Sequence, residues 1–314
     1  MNALVTGAAG FVGSHLCERL LKAGETIRGV DCYTPYYPRA RKEQNLEGVL
    51  GHPRFESISA DLLEVPIEPL LDGIDVVYHL AGQPGVRPSW GSDFATYVRC
   101  NIDATQRLLE ACRSSTVSKL VYSSSSSVYG DAESLPTPED AIPRPVSPYG
   151  VTKLAAEHLC ELYRTVHGLP TASLRLFSVY GPRQRPDMAF ARLVRAAIRG
   201  DTFTLYGDGE QTRDFTFVGD AVQGLDRASR SDWCGVANIG GGSRTSMNEV
   251  IGIVESLCGP VQVVRLRAQD GDARHTAADT SIARAAFGYA PSTSLVGGLA
   301  AMVEWERAHM EVAA

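Results

Sequence analysis

Short apolar runs punctuate roughly the first 175 residues: ALVTG, TIRGVD, FESISAD, DVVYHLA, KLVYSS and TASLRL. Their length and their bounding polar or glycine residues mark them as strands. Longer amphipathic segments lie between most of them. In the first, Val12, Leu16 and Leu20 recur at a spacing of four, which lays one apolar stripe against a sheet. Strand and helix in alternation predict an α/β fold of the Rossmann type, a doubly wound parallel sheet, because parallel strands need crossover connections that cover both faces.

Beyond residue 175 the pattern loosens. GPRQRPDM leads into an amphipathic helix near 188 to 200, and short strands follow between glycine-rich turns such as YGDGEQ and NIGGGS. Ser246-Met-Asn-Glu249 ahead of Val250 and Ile251 has the spacing of a capping box. Without repeat, low-complexity tract or obvious linker, the chain divides into 1–175, a cofactor-binding domain, and 176–314, a smaller C-terminal α/β substrate-binding lobe packed against it, with some chain crossing back.

Composition narrows the function classes. A chain of 314 residues, 44% hydrophobic, supports one large core or two lobes sharing an interface. The cysteines, seven in all, lack the Cys-x-x-Cys spacing of zinc or redox sites and read as reduced thiols, so no metal is expected. The start lacks a basic and apolar leader, and no run of about 18 apolar residues occurs, so a cytoplasmic protein without membrane partners is expected. A net charge of -6 argues against nucleic acid.

TGAAGFVG places Gly7, Gly10 and Gly13 between a predicted strand and helix, with Phe11 and Val12 in the opening turn. Such a turn lets the backbone approach a pyrophosphate, whose charge the helix N-terminus favours. Asp31 ends the second strand, where a carboxylate accepts hydrogen bonds from an adenosine ribose and repels a 2'-phosphate, so NAD is expected rather than NADP. Asp61 and Leu62 after the third strand, and Leu80 and Ala81 after the fourth, are candidate walls for adenine and ribose.

Tyr149 and Lys153 lie four apart on one helical face. A phenol with an ordinary pKa of about 10 is a poor base at neutral pH, but a nearby ammonium favours the phenolate. That spacing alone is common. The serine run of VYSSSSSVYG adds hydroxyls at the end of the fifth strand, on the carboxyl side of the sheet where open α/β folds bind ligands.

Taken together, TGAAGFVG, the serines before Val128-Tyr129-Gly130 and Tyr149-x-x-x-Lys153 resemble the extended short-chain dehydrogenase family of sugar-nucleotide epimerases, dehydratases and decarboxylases over essentially the whole chain. The resemblance implies that Ser125, four residues before Tyr129, holds the substrate's 4-hydroxyl, with Ser124 and Ser126 as open alternatives. It implies that Tyr149 is the base, that Lys153 lowers its pKa and holds the nicotinamide ribose, and that helices near 94–113 and 150–167 pair in a homodimer.

Dehydratases of this family typically carry Asp-Glu after the catalytic hydroxyl, and decarboxylases a glutamate at the second position. Ser126 and Ser127 stand there instead, which points to epimerisation of a UDP-sugar at C4. Segments 31–46, 82–90 and 177–190 resemble UDP-glucuronate 4-epimerases more than UDP-galactose epimerases. By that resemblance Arg185 reads the C6 carboxylate, Ser178 stands where Thr or Asn is frequent, and Gly82 stands where alanine is frequent. Tyr206 would meet the uracil and Arg213 the diphosphate, with Arg87 and Asp272 as further substrate contacts.

Residues 175 to 199 carry Arg175, Arg183, Arg185, Arg192, Arg195 and Arg199 against the lone acid Asp187, which by itself suits a strongly anionic ligand; Arg192, Arg195 and Arg199 read as a solvated helix face. The competing functions are a UDP-glucose/UDP-galactose 4-epimerase, another sugar-nucleotide dehydratase or decarboxylase, and a non-enzymatic NAD-binding regulator.

Overall fold

A computed structural model describes residues 1–267 and 273–310. The apolar runs become strands β1 (Asn2–Thr6), β2 (Thr26–Asp31), β3 (Phe55–Ser59), β4 (Val76–His79), β5 (Lys119–Ser125) and β6 (Thr171–Leu176). Between them run helices α1 (Phe11–Lys22), α2 (Arg39–Leu46), α3 (Glu68–Leu71), α4 (Phe94–Tyr97), α5 (Ala104–Arg113) and α6 (Pro148–His167), with a π-helical turn, Val98–Asp103, between α4 and α5.

The second half contributes β7 (Val179–Tyr180), α7 (Ala189–Arg199), β8 (Thr202–Tyr206), β9 (Thr212–Asp214), β10 (Thr216–Phe217), α8 (Val218–Arg230), β11 (Gly235–Ile239), β12 (Arg244–Ser246), α9 (Met247–Cys258), β13 (Gln262–Leu266), α10 (Ser281–Phe287) and α11 (Leu295–Met310). The capping box at Ser246 forms as its spacing predicts: the serine hydroxyl accepts from the Glu249 amide while the Glu249 carboxylate accepts from the Ser246 amide.

The main sheet runs β11-β6-β5-β4-β1-β2-β3, every pair parallel. Its seventh strand, β11, therefore comes from the C-terminal half and pairs with β6. One face carries α1 and α8 through a core that includes Leu16, Leu20, Val222 and Leu225. The other carries α3, α5 and α6 through Leu70, Leu108, Leu109 and Cys160. Each fully buried aliphatic side chain contributes roughly 1.5–3 kcal/mol, so the sheet is clamped from both sides and its carboxyl edge is a fixed platform.

A third core, including Phe190, Leu193, Leu205, Val250 and Leu299, packs α7, α9 and α11 together. The strand order reverses between β1 and β4, and the crevice at that point is where open α/β sheets receive ligands.

Candidate active site

A cavity of 440 Å³ opens at the carboxyl edge of the sheet. It is lined by Gly7, Gly10, Phe11, Val12 and Gly13, by Asp31, Asp61 and Leu62, and by Leu80 and Ala81. Ser125, Ser126, Ser127, Tyr149, Lys153, Ser178 and Arg185 complete the same wall. Segments from across the chain thus converge on one volume.

The glycines answer to contacts rather than to flexibility in general. Gly7 has φ +71°, and a Cβ there would sit 2.8 Å from the Ala81 amide nitrogen. A Cβ on Gly13 would sit 2.1 Å from the Gly7 carbonyl oxygen. Helix α1 begins after Gly10 with no side-chain cap, so the amides of its first turn are left for a ligand's oxygens. The backbone cradle and its donors fit a dinucleotide pyrophosphate.

Asp31 is fixed on both oxygens: Oδ2 accepts from the Ala9 amide at 3.1 Å and Oδ1 from the Tyr33 amide at 2.7 Å. Lys42, buried on α2, places Nζ 3.4 Å from Asp31 Oδ1 and 3.3 Å from Thr34 Oγ1. It lines the cavity, and its sequence context, RARKEQNL, gives no sign that this cation alone turns inward.

Asn101 is a second residue that sequence reading passes over. It lies in the π-helical turn, which rotates it into the cavity wall. Its Oδ1 accepts from the Gln83 amide at 2.7 Å, and its Nδ2 donates to Thr152 Oγ1 at 2.9 Å. Gly82 now has a cause: a Cβ there would lie 2.9 Å from Asn101 Oδ1.

Helix α6 starts at Pro148, capped by Ser147, whose hydroxyl accepts from the Gly150 amide at 3.1 Å. The cap sets Tyr149 in the first turn and Lys153 one turn on. Tyr149 packs edge-to-face on Tyr97 with centroids 6.3 Å apart. Ser125 accepts from the Ser127 amide at 3.1 Å and hydrogen-bonds Tyr149.

Burial raises the Tyr149 phenol above its ordinary pKa, opposed by the Ser125 hydrogen bond and by the charge of Arg185. Burial also pulls Lys153 down to about 7, partly opposed by Cys160 and Glu157. Its Nζ stands 4.4 Å from the Tyr122 ring centroid. Of the nearby cations, Arg185 is the one whose charge opposes the rise at Tyr149.

A neighbouring groove of 330 Å³ is lined by Arg87, Arg192, Tyr206, Phe203, Tyr36 and Arg185, among others. Arg87 lies over the Tyr206 ring, 4.6 Å from its centroid. Tyr36, another residue the sequence reading did not single out, borders groove and cavity alike. Arg213 is turned toward carbonyls, its Nη1 donating to Thr212 at 3.0 Å and Arg274 at 2.9 Å. Asp272 lies outside the described residues.

The arginine-rich stretch does not act as one anion site. Arg175 is buried against Glu157, Arg183 pairs with Glu18, and Arg195 pairs with Glu306 at 2.8 Å. Arg199 is exposed, as expected. Arg192 departs from the solvated face assigned to it, reaching the groove with its guanidinium 5.8 Å from the Phe203 centroid. Helix α7 presents Arg192 to the groove because Phe190, Leu193 and Val194 are drawn into the third core.

Known proteins share this arrangement. The crystal structure of a Bacillus cereus UDP-glucuronic acid 4-epimerase in complex with UDP-glucuronic acid and NAD superposes with a TM-score of 0.95 at 44% identity, over 98% of this chain and 100% of that one. A Bacillus subtilis (strain 168) protein, YtcB, described as an uncharacterized UDP-glucose epimerase, is 44% identical, over 95% of this chain and 96% of its own. The UDP-glucuronate 4-epimerase of Thermodesulfobacterium geofontis (strain OPF15) is 34% identical over 98% and 97%. A family model, the NAD dependent epimerase/dehydratase family, matches residues 3–240. With three-quarters of its length under that model and close relatives along nearly all of it, the chain belongs to the NAD dependent epimerase/dehydratase family.

Proposed function

We propose that the protein is a UDP-glucuronate 4-epimerase that interconverts UDP-glucuronate and UDP-galacturonate through a 4-keto sugar, using NAD. The observation that carries the substrate assignment is Arg185, a guanidinium lining the same cavity as Tyr149 and Ser125. A planar fork suits a carboxylate better than a point charge does.

When bound in this cleft, NAD would supply the acceptor for the C4 hydride and the donor that returns it to the opposite face. Tyr149 takes the 4-hydroxyl proton and later gives it back, while Ser125 orients that hydroxyl. Lys153, when charged, favours the phenolate and reaches the nicotinamide ribose. Ser126 and Ser127 offer no carboxylate to drive elimination. The keto sugar is a β-keto acid, and Arg185 holds its carboxylate away from the alignment that releases carbon dioxide. Arg87 and Tyr206 hold the nucleotide while the sugar turns, and residues 176–314 mainly serve that ligand, with 1–175 serving the cofactor.

A neutral-sugar 4-epimerase is the second reading, favoured by the fact that Arg185 already has a partner, Asp187. Turnover of UDP-glucuronate against UDP-glucose decides between them: the proposal expects preference for the acid sugar, and a preference for UDP-glucose overturns it. The exposed Val151, Leu162 and Val166 on α6 support a homodimer through that helix, which light scattering in solution tests. Among the described residues no helix is long and apolar enough to cross a membrane, and we place the enzyme in the cytoplasm.

A further inference from the structure

Arg185 stands at the boundary between the catalytic cavity and the groove, lining both. On the groove side its Nε donates to Asp187 Oδ1 at 3.0 Å and its Nη2 to Asp187 Oδ2 at 2.9 Å. The Tyr36 ring lies under the guanidinium, 5.6 Å from centroid to Cζ, and the Tyr36 hydroxyl donates to Asp187 Oδ2 at 3.4 Å. Gly85 makes this seat possible, since a Cβ there would stand 2.4 Å from the Tyr36 hydroxyl.

A guanidinium has five N–H donors, four of them arranged along two edges. Asp187 takes the edge formed by Nε and one hydrogen of Nη2. The second edge, Nη1 with the other Nη2 hydrogen, is a separate fork of the same shape. Asp187 borders the groove, Tyr149 borders the cavity and Arg185 borders both, with the Tyr36 hydroxyl also within hydrogen-bonding reach of the guanidinium. The loop itself is anchored, because Arg183 reaches Ser14 Oγ at 3.4 Å and pairs with Glu18 on α1.

We propose that Asp187 is a positioning residue for acid-sugar specificity: with Tyr36 beneath, it occupies one edge of Arg185 and thereby aims the other edge at the C6 carboxylate. This rests on the reading that the substrate is UDP-glucuronate. An arginine side chain has many rotamers, and a fork ordered beforehand gives up less freedom when the ligand arrives. The negative charge of Asp187 opposes the incoming carboxylate, but its side chain is 41% exposed, so solvent screens that repulsion. The tether therefore outweighs the repulsion.

The test uses the NAD-loaded enzyme with Asp187→Ala and Asp187→Asn, each assayed on UDP-glucuronate and UDP-glucose. Asp187→Ala removes the tether and raises KM for UDP-glucuronate about tenfold, the loss of roughly one charge-assisted hydrogen bond, leaving KM for UDP-glucose within about twofold. Asp187→Asn keeps the shape and one acceptor and restores the acid-sugar KM to within about threefold of wild type. Retained UDP-glucose turnover in both variants certifies their folding.

Tighter UDP-glucuronate binding in both variants would make Asp187 a competitor and overturn the proposal. So would equal shifts for the two sugars, or none. A wild-type enzyme that accepts only UDP-glucose overturns the substrate assignment and the tether together. That result is distinguishable from failure of the tether alone, in which wild type prefers the acid sugar and Asp187→Ala behaves like it.

Discussion

Arg175 and Arg185 each fork onto a carboxylate, yet the regions around them do opposite work. On β6 against α6, Arg175 is 4% exposed and every direction is taken: Nε and Nη2 meet Glu157, while Nη1 donates to the Tyr129 hydroxyl at 2.7 Å and the Glu139 carbonyl at 3.0 Å. Glu157 also accepts from Ser124 Oγ at 2.7 Å. In the loop before α7, Arg185 gives one edge to Asp187 and lines the cavity together with Tyr149. The first cluster is closed on itself, and the second is the one proposed to meet a ligand.

That contrast can be broken most sharply at Tyr149. Tyr149→Phe removes the phenolic oxygen that Ser125 hydrogen-bonds and should lower kcat by about 10³-fold, with thermal unfolding close to wild type. Activity near the wild-type level would mean that the base lies elsewhere. At the Arg175 cluster the effect should appear in stability. Glu157→Ala strands a buried guanidinium and should cost about 3–5 kcal/mol in denaturant unfolding, whereas Asp187→Ala, at a half-exposed carboxylate, should cost about 1 kcal/mol or less. Equal costs would erase the distinction between the two clusters.

A smaller effect, graded with pH, should come from Lys153, which bridges the regions. Its pKa of about 7 in the folded chain lies below the ordinary 10.5. Between those values the unfolded chain holds the extra proton, so unfolding free energy rises with pH, by at most about 1.4 kcal/mol per unit. Below pH 7 the burial penalty is fully present. Wild type should therefore be least stable relative to Lys153→Met at acid pH and recover between pH 7 and 10.5. A difference that does not change with pH would show that Lys153 is not desolvated as the fold implies.

The first six strands of the sheet were legible because strands covered on both faces are almost continuously apolar, as in KLVYSS and DVVYHLA. The glycine turn was legible because its spacing encodes backbone clearances that only glycine meets. The sense of the arginines was not: one apparent cluster divides among three internal ion pairs, a groove contact, an exposed helix end and the cavity, since each points where its own element turns it. Lys42 was hidden among the charges of a polar helix, and Asn101 depends on a π-helical turn that apolar periodicity does not announce. The residues that oxidise the sugar follow local motifs, whereas those that select it meet only through long-range packing.

The central claim is epimerisation at C4 by removal and return of the same hydrogen. The most direct measurement incubates the purified protein, without added cofactor, with UDP-glucuronate in deuterium oxide and follows the sugar protons by NMR. The account predicts UDP-galacturonate carrying protium at C4. Deuterium at C4, or no C4 epimer at all, would contradict it.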